Sequence, residues 1–215
     1  MVQFLQKYGS FYWIGIKYTL ILSVLSLFFG FFLETLLALT RLSKHKVLSY
    51  LATAYIEFFR GTPLMIQLYM VYFGSFIVFG LDMNRFISGL VAVSLNSAAY
   101  VAEIIRSGIN SVDKGQKEAG LSLGLKESQV MRHIILPQAF KNVLPALGNE
   151  LVTLIKETSI ASTIGVTELM YNADKVNVAS YDFRALVVAA GIYFLITFTM
   201  SKSLGGLERR LAGND

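Results

Sequence analysis

Several charged and amide side chains of this 215-residue chain stand inside stretches that are otherwise apolar, where hydrocarbon would be the ordinary neighbour. Between 143 and 167 the interruptions are Glu150, Lys156 and Glu157. Wound as a helix at about 100° per residue, Asn149, Glu150, Thr153, Lys156, Glu157, Thr163 and Thr167 fall within an arc of roughly 140°, with Leu151, Leu154 and Ile155 opposite. A charge facing lipid costs several kcal/mol, so such a stripe turns toward protein or a water-filled path. Asn149, Glu150 and Thr153 are the expected lining of a polar cavity. Lys156, Glu157, Thr158 and Ser159 are its expected gate or deeper lining. The competing arrangement is an ion-pair network held inside a bundle. Asn96 and Ser97 are further cavity candidates. Glu57 with Arg60, and Glu103 with Arg106, stand three residues apart and read as structural pairs near span ends.

The common catalytic patterns are absent. There is no G-x-x-x-x-G-K-[ST], no H-E-x-x-H and no G-x-S-x-G. The chain has no cysteine, which excludes disulfides and thiol chemistry. Its two histidines, His45 and His133, sit among basic residues and read as solvated surface. A membrane enzyme would need a constellation of His, Asp or Ser near one face, and none is formed.

The elements that must position these groups are legible from hydropathy. Hydrophobic residues make up 54% of the chain and charged ones 15%, against about 25% charge in an ordinary soluble domain. The stretches 18–33, 64–81, 86–102 and 185–201 contain no Asp, Glu, Lys or Arg. Each approaches or reaches the roughly 17–25 residues that cross a hydrocarbon core. The expectation is an all-α integral membrane protein, one domain over 1–215, with five spans at about 12–39, 48–81, 86–106, 143–167 and 185–204. The second is longer than a bilayer requires, and Arg60-Gly61-Thr62-Pro63 divides it. Proline lacks a backbone donor and clashes with the preceding turn, so a kink is expected near Gly61. The first run is too long for a signal peptide and lacks a small-residue cleavage site, so it is expected to stay in the protein. An outer loop is expected near 171–182.

The net charge of +5 reports orientation rather than affinity for nucleic acid. With five spans, twelve Lys and Arg fall on one side (Arg41, Lys44, Lys46, Arg106, Lys114, Lys117, Lys126, Arg132, Lys141, Lys202, Arg209 and Arg210). Five fall on the other: Lys7, Lys17, Arg85, Lys175 and Arg184. The positive-inside rule then places the N terminus outside and the C terminus in the cytoplasm.

The one sizeable polar segment, 107–142, is punctuated by Gly108, Gly115, Gly120, Gly124 and Pro137 into short helices. Within it, Glu118-Ala119-Gly120-Leu121-Ser122-Leu123-Gly124 is followed after nine residues by Ile134-Ile135-Leu136-Pro137. A short helix closed by Gly124 can lie crosswise at the membrane face, its small residues allowing close approach and Glu118 offering a charge. An amphipathic helix resting on lipid is the alternative.

This segment resembles the EAA loop of permeases in binding-protein-dependent ABC importers. That pattern is E-A-A, three residues, G, nine residues, then I-x-L-P. Glu118, Ala119, Gly124, Ile134, Leu136 and Pro137 match it, and Gly120 stands in place of the second alanine. The replacement lowers helix propensity by up to about 1 kcal/mol but keeps the spacing. Glu57-Phe58-Phe59-Arg60-Gly61-Thr62-Pro63-Leu64 is similar to the F-R-G-T-P segment of polar amino-acid permeases. Tyr100 to Arg106, Gly115-Gln116, Leu136-Pro137-Gln138-Ala139 and Lys156-Glu157-Thr158-Ser159 fit the same subfamily.

The resemblance implies a type I ABC importer permease fold and an amino-acid import function. It implies coupling to ATPase subunits through Gly115, Glu118, Ala119, Gly120, Leu121 and Gly124. Arg60, Gly61, Thr62 and Pro63 would form a structural kink. The implied partners are a second permease (identical or similar), two cytoplasmic ABC ATPases, an extracytoplasmic binding protein and an amino-acid substrate. No cofactor is expected on this chain; ATP and Mg would sit on the ATPases. An ion-gradient-driven transporter or channel is the alternative, and it gives no reason for the EAA pattern. The orientation is checked by single cysteines in a chain that has none. A membrane-impermeant thiol reagent on intact cells should label Asp174→Cys and spare Lys114→Cys and Asn142→Cys; the reverse pattern would invert the topology.

Overall fold

The computed structural model describes residues 1–41 and 46–212, and all its regular elements are helical. Lys44 and His45 lie outside the described residues. A long helix α1 (Val2–Arg41) is followed by α2 (Lys46–Gly61), α3 (Leu64–Phe79) and α4 (Arg85–Asn110). Two short helices, α5 (Lys114–Ser122) and α6 (Glu127–Val130), then a π-helical turn at Met131–Ile135, lead into α7 (Leu136–Glu157). A 3₁₀ segment (Thr158–Ile164) continues α7, and α8 (Leu169–Ser180) and α9 (Arg184–Ala212) complete the chain.

Small residues set the packing. On α1, Gly30 meets Ser97 of α4, where an added Cβ would lie 3.2 Å from the Ser97 hydroxyl. Leu22 of α1 reaches Gly89 of α4, so the two helices run parallel. Gly108 of α4 faces Val143 of α7, and Gly89 at the far end of α4 faces Ala161, so α7 and its 3₁₀ extension run antiparallel to α4. Gly148 of α7 receives Leu204 of α9. In lipid, where apolar surface gains nothing by leaving one hydrocarbon for another, such close backbone approaches are the main attraction between helices.

Two apolar clusters fill the bundle at the Arg85 end of α4. Leu22, Leu68, Ala92, Ala161, Ile164 and Val166 join α1, α3, α4 and the 3₁₀ segment. Phe4, Tyr12, Leu169, Ala173, Val176, Ala185 and Ala189 join the start of α1 to α8 and α9, with the Tyr12 hydroxyl donating to the Ala185 carbonyl at 3.0 Å.

Three expectations change, and the span count is reached only in part by length and composition. By length and composition, three described helices can cross a membrane (Val2–Leu37, Arg85–Asn110 and Arg184–Gly206), or four if α2 and α3 count as one span. The single kinked span expected at 48–81 is two helices bent by 110°. The stretch at 143–167 is not one α-helix: α-helical geometry stops at Glu157. The hydroxyls of Thr158, Ser159, Ser162 and Thr163 each donate to a carbonyl three residues back, favouring the tighter winding. The outer loop expected at 171–182 is mostly helix α8, because the Glu168 carboxylate caps it, accepting from Met170 N–H at 2.9 Å and Tyr171 N–H at 2.6 Å.

Gly15 of α1 lies against the α8 backbone, where a Cβ would stand 2.7 Å from Leu169 Cα, whereas nothing is within 4 Å of a Cβ at Gly9. Gly15→Ala should therefore destabilise the purified protein by about 1–3 kcal/mol, because backbone cannot yield as a side chain does. Gly9→Ala should be neutral or stabilising by up to about 1 kcal/mol. Unfolding midpoints of the two variants in one detergent check the contrast, and equal midpoints would refute it.

Candidate functional site

The helix break comes first, because it decides what can be polar inside the bundle. Pro63 cannot donate, so the break leaves the carbonyls of Phe59, in α2, and of Thr62, just past it, without helical partners. Gln67, one turn into α3 and 2% exposed, folds back to them. Its amide nitrogen donates to Phe59 O at 2.8 Å, Thr62 O at 3.0 Å and the Thr62 hydroxyl at 3.0 Å. Asn96 of α4 donates to the Gln67 side-chain oxygen at 2.9 Å and to Phe59 O at 3.4 Å. Backbone groups without water must find partners within the protein, and these two amides supply them. The break thus becomes a fixed joint against α4.

This assigns Asn96 differently from the sequence expectation. It is 3% exposed and its amide serves the break rather than an open path. Ser97, 0% exposed, is packed against Gly30. Both are buried within this one subunit. Arg60 also differs from its expected pairing. It reaches across to Glu103 of α4 (3.8 Å) and lies 5.9 Å from the Tyr100 ring. Glu103 also takes the Arg106 guanidinium, as the i,i+3 spacing suggested.

The polar stripe on α7 divides. Asn149, Lys156, Thr163 and Thr167 are exposed on the outside of the bundle, and Thr153 is half-buried. Leu154 and Ile155 are 0% and 1% exposed on the opposite face. Glu150 is turned inward at 9% exposure, and Glu157 is partly buried. Thr158 is fully buried with its hydroxyl on the Ile155 carbonyl, so it faces no path; Ser159 donates to the Lys156 carbonyl at 2.6 Å. The outward residues therefore leave a polar strip, from Asn149 to Thr167, on a helix that elsewhere packs apolar side chains.

At the other end of α4, α5 is built as a capped, self-contained helix. The Asp113 side chain accepts from Gly115 N–H at 2.7 Å, and a Cβ at Gly115 would strike that oxygen, so Gly115 belongs to the cap. Gly124 takes φ +82°; its N–H donates to Leu121 O at 3.0 Å and that of Leu125 to Gly120 O at 3.2 Å, the paired bonds of a Schellman ending. Gly120 is buried, and a Cβ there would lie 2.8 Å from Val130 and 3.0 Å from Ile134. The departure from alanine at this position is explained by that contact. Glu118, Ala119 and Leu121 are exposed, and Leu123 is 82% exposed. A capped helix with bare apolar side chains at its end is shaped to meet another surface.

Two buried carboxylates escaped the sequence reading. Glu34 of α1 is 1% exposed. Its signal was the spacing Ser23, Ser26, Gly30, Glu34, one small or polar face on an apolar helix. Glu168, 0% exposed, accepts from the Tyr193 hydroxyl at 2.8 Å and from the Thr19 hydroxyl besides capping α8, and the Thr19 oxygen in turn receives Leu169 N–H at 3.1 Å. Among the described residues no group of three His, Cys, Asp or Glu can hold a metal ion.

Comparison with known proteins places this architecture. The chain is 42% identical to the arginine transport system permease protein ArtQ of Bacillus subtilis (strain 168), over 94% of this chain and 92% of that protein. It is 42% identical to the L-cystine transport system permease protein TcyB of the same organism, over 92% of this chain and 85% of that protein. A solved amino acid ABC transporter crystallised with histidines contains a chain of 43% identity and TM-score 0.92, with 96% of each chain covered. An inward-facing MetNI methionine ABC transporter shares the fold at 21% identity and TM-score 0.75. Residues 26–213 match the binding-protein-dependent transport system inner membrane component, and the chain belongs to that family.

Proposed function

We propose that this chain is the membrane permease of an ATP-driven importer for amino acids. The observation that carries the reading is the polar strip of Asn149, Thr153, Lys156, Thr163 and Thr167 on the outside of one subunit. Lipid would make such a strip expensive, whereas an aqueous path shared with a second permease gives it solvent. Two copies, or this chain with a similar permease, would enclose the path between them. Asn149, Glu150 and Thr153 line it, with Lys156, Glu157 and Ser159 nearer its outer end and the Arg60–Glu103 pair beside the break.

Packing supports a fifth crossing beside those that composition marks. Gly89 and Gly108 of α4 face Ala161 and Val143, and the two glycines stand nineteen positions apart on one helix. At about 1.5 Å per residue, the stretch from Val143 to Ala161 therefore advances roughly 28 Å, close to the hydrocarbon thickness. Glu150, Lys156 and Glu157 dilute its apolar character without shortening it. The N terminus lies outside, and α5, among Arg106, Lys114, Lys117, Lys126, Arg132 and Lys141, lies in the cytoplasm.

The α5 surface of Glu118, Ala119 and Leu121, with its end fixed by Gly124, is the contact for the ATPase subunits. ATP and Mg belong to those subunits. A binding protein delivers substrate on the outer side. The amino-acid class is supported by the arginine and cystine permeases and by the histidine-containing transporter, each similar along nearly the whole chain.

The test is uptake of labelled L-arginine, L-glutamine and L-histidine into proteoliposomes carrying the complex with its ATPase and binding protein. Glu118→Lys reverses the contact charge, and Gly124→Val forces a branched residue to φ +82°, a strain of about 1–3 kcal/mol. Both should assemble and lose ATP-driven uptake. Glu150→Gln should weaken the dependence of ATP hydrolysis on substrate while leaving the response to nucleotide. Wild-type rates in both loop variants at matched expression, or uptake driven by an ion gradient without ATP, would defeat the proposal.

A further inference from the structure

A cleft of 500 Å³ opens at the Arg85 end of α4. Counting about 1.5 Å per residue, it lies roughly 39 Å along α4 from Asn110 and the α5 segment. Local chain geometry builds it. Gly80, at φ +66°, ends α3 and turns the chain into Asp82. The Asn84 side chain accepts from Phe86 N–H at 2.8 Å and starts α4, so Arg85 leaves its first turn. Gly165, at φ +85°, closes the 3₁₀ segment, and its missing side chain leaves room for the Arg85 guanidinium: a Cβ there would be 2.7 Å from Nη1. Tyr18 of α1, Tyr72 of α3 and Thr167 complete the wall, with the Tyr18 ring edge-on to Phe86 at 5.9 Å.

Arg85 and Asp82 line this cleft, and among the described residues neither makes an ion pair, with the other or elsewhere. An unpaired cation and an unpaired anion lining one space, together with two tyrosines and a threonine, complement a ligand carrying both charges. A bare anion would meet Asp82, and a bare cation would meet Arg85. The volume falls within the about 300–1,000 Å³ of small-molecule pockets. Thr167 belongs both to the cleft and to the exposed polar strip, so the two are continuous.

We propose that this cleft is a second amino-acid site, at the outer mouth of the path, in which Arg85 takes the α-carboxylate and Asp82 the α-ammonium. It rests on the amino-acid reading above and adds a place where substrate halts between its binding protein and the α7 face. Because both contacts are to groups every amino acid has, the site favours zwitterions without choosing among side chains. Selection by side chain is left to residues deeper in the path.

The experiment is initial uptake of labelled L-arginine, L-glutamine and L-histidine by the reconstituted complex with its binding protein, for wild type, Arg85→Gln, Asp82→Asn and Arg85→Lys. Loss of one charged contact should lower uptake about tenfold in the Gln and Asn variants. Basal ATP hydrolysis should hold, and Arg85→Lys should recover most of the uptake because it keeps the cation. Unchanged uptake in the Gln and Asn variants, with an active wild type, overturns the cleft alone. Loss in Gln and Lys variants together with falling basal hydrolysis marks Arg85 as packing over Gly165 and also overturns it. A wild type that accumulates none of the three removes the amino-acid reading and this site with it. Zwitterionic lipid headgroups share the chemistry, so vesicles with and without phosphatidylethanolamine are compared. A deficit confined to the ethanolamine vesicles would assign the cleft to lipid.

Discussion

A helix broken inside a bilayer must satisfy its own backbone, because hydrocarbon offers no donor or acceptor. Everything else in this bundle accommodates that requirement. Gln67 and Asn96 close the carbonyls of Phe59 and Thr62, and in doing so tie α2, α3 and α4 together at one point. The 110° turn between α2 and α3 is therefore a joint with named bonds. It leaves Arg60 free to reach Glu103 and Tyr100, and lets α3 reach the cluster of Leu22, Leu68 and Ala92.

Polar groups are then sorted into two populations. Some of those turned inward bear structure: Glu168 holds α8 and Tyr193, while Gly30 lets α1 close on Ser97 of α4. Those turned outward, from Asn149 to Thr167, form the exposed polar strip for which the proposed function supplies water. Glu150 stands at the boundary, on the inward edge of that strip at 9% exposure. The segment proposed for coupling is kept apart: α5 is joined to the bundle through Gly120 against Val130 and Ile134, and presents Glu118 and Leu121 away from it.

Sequence patterns carried local punctuation well and partners across the bundle poorly. Gly124 is a helix stop because only a residue tolerant of φ +82° fits there, and that is visible from one position. Pro63 announced a break, but the angle depends on Gln67 and Asn96, two amides twenty-nine residues apart whose meeting no spacing rule gives. Asn96 looked like a cavity residue for the same reason. The angular reading of 143–167 assumed α-helical winding throughout. It failed past Glu157 because four hydroxyls bond back to the chain, yet Thr163 and Thr167 still emerge outward. Helix α8 was hidden because its cap, Glu168, is a buried carboxylate whose third donor, Tyr193, comes from another helix.

Water access to the outer face of α7 and the 3₁₀ segment is the property on which the transport reading turns. Single cysteines at 149, 152, 153, 154, 155, 156, 163 and 167 in the assembled complex, treated with a small charged thiol reagent, measure it directly. The expected pattern is reaction at Asn149→Cys, Thr153→Cys, Lys156→Cys, Thr163→Cys and Thr167→Cys, with Val152→Cys, Leu154→Cys and Ile155→Cys protected. Nucleotide should change the rates at the reactive positions as the path opens to one side or the other. Protection of all eight, with the complex assembled and active, would mean that the strip is sealed and that substrate crosses elsewhere.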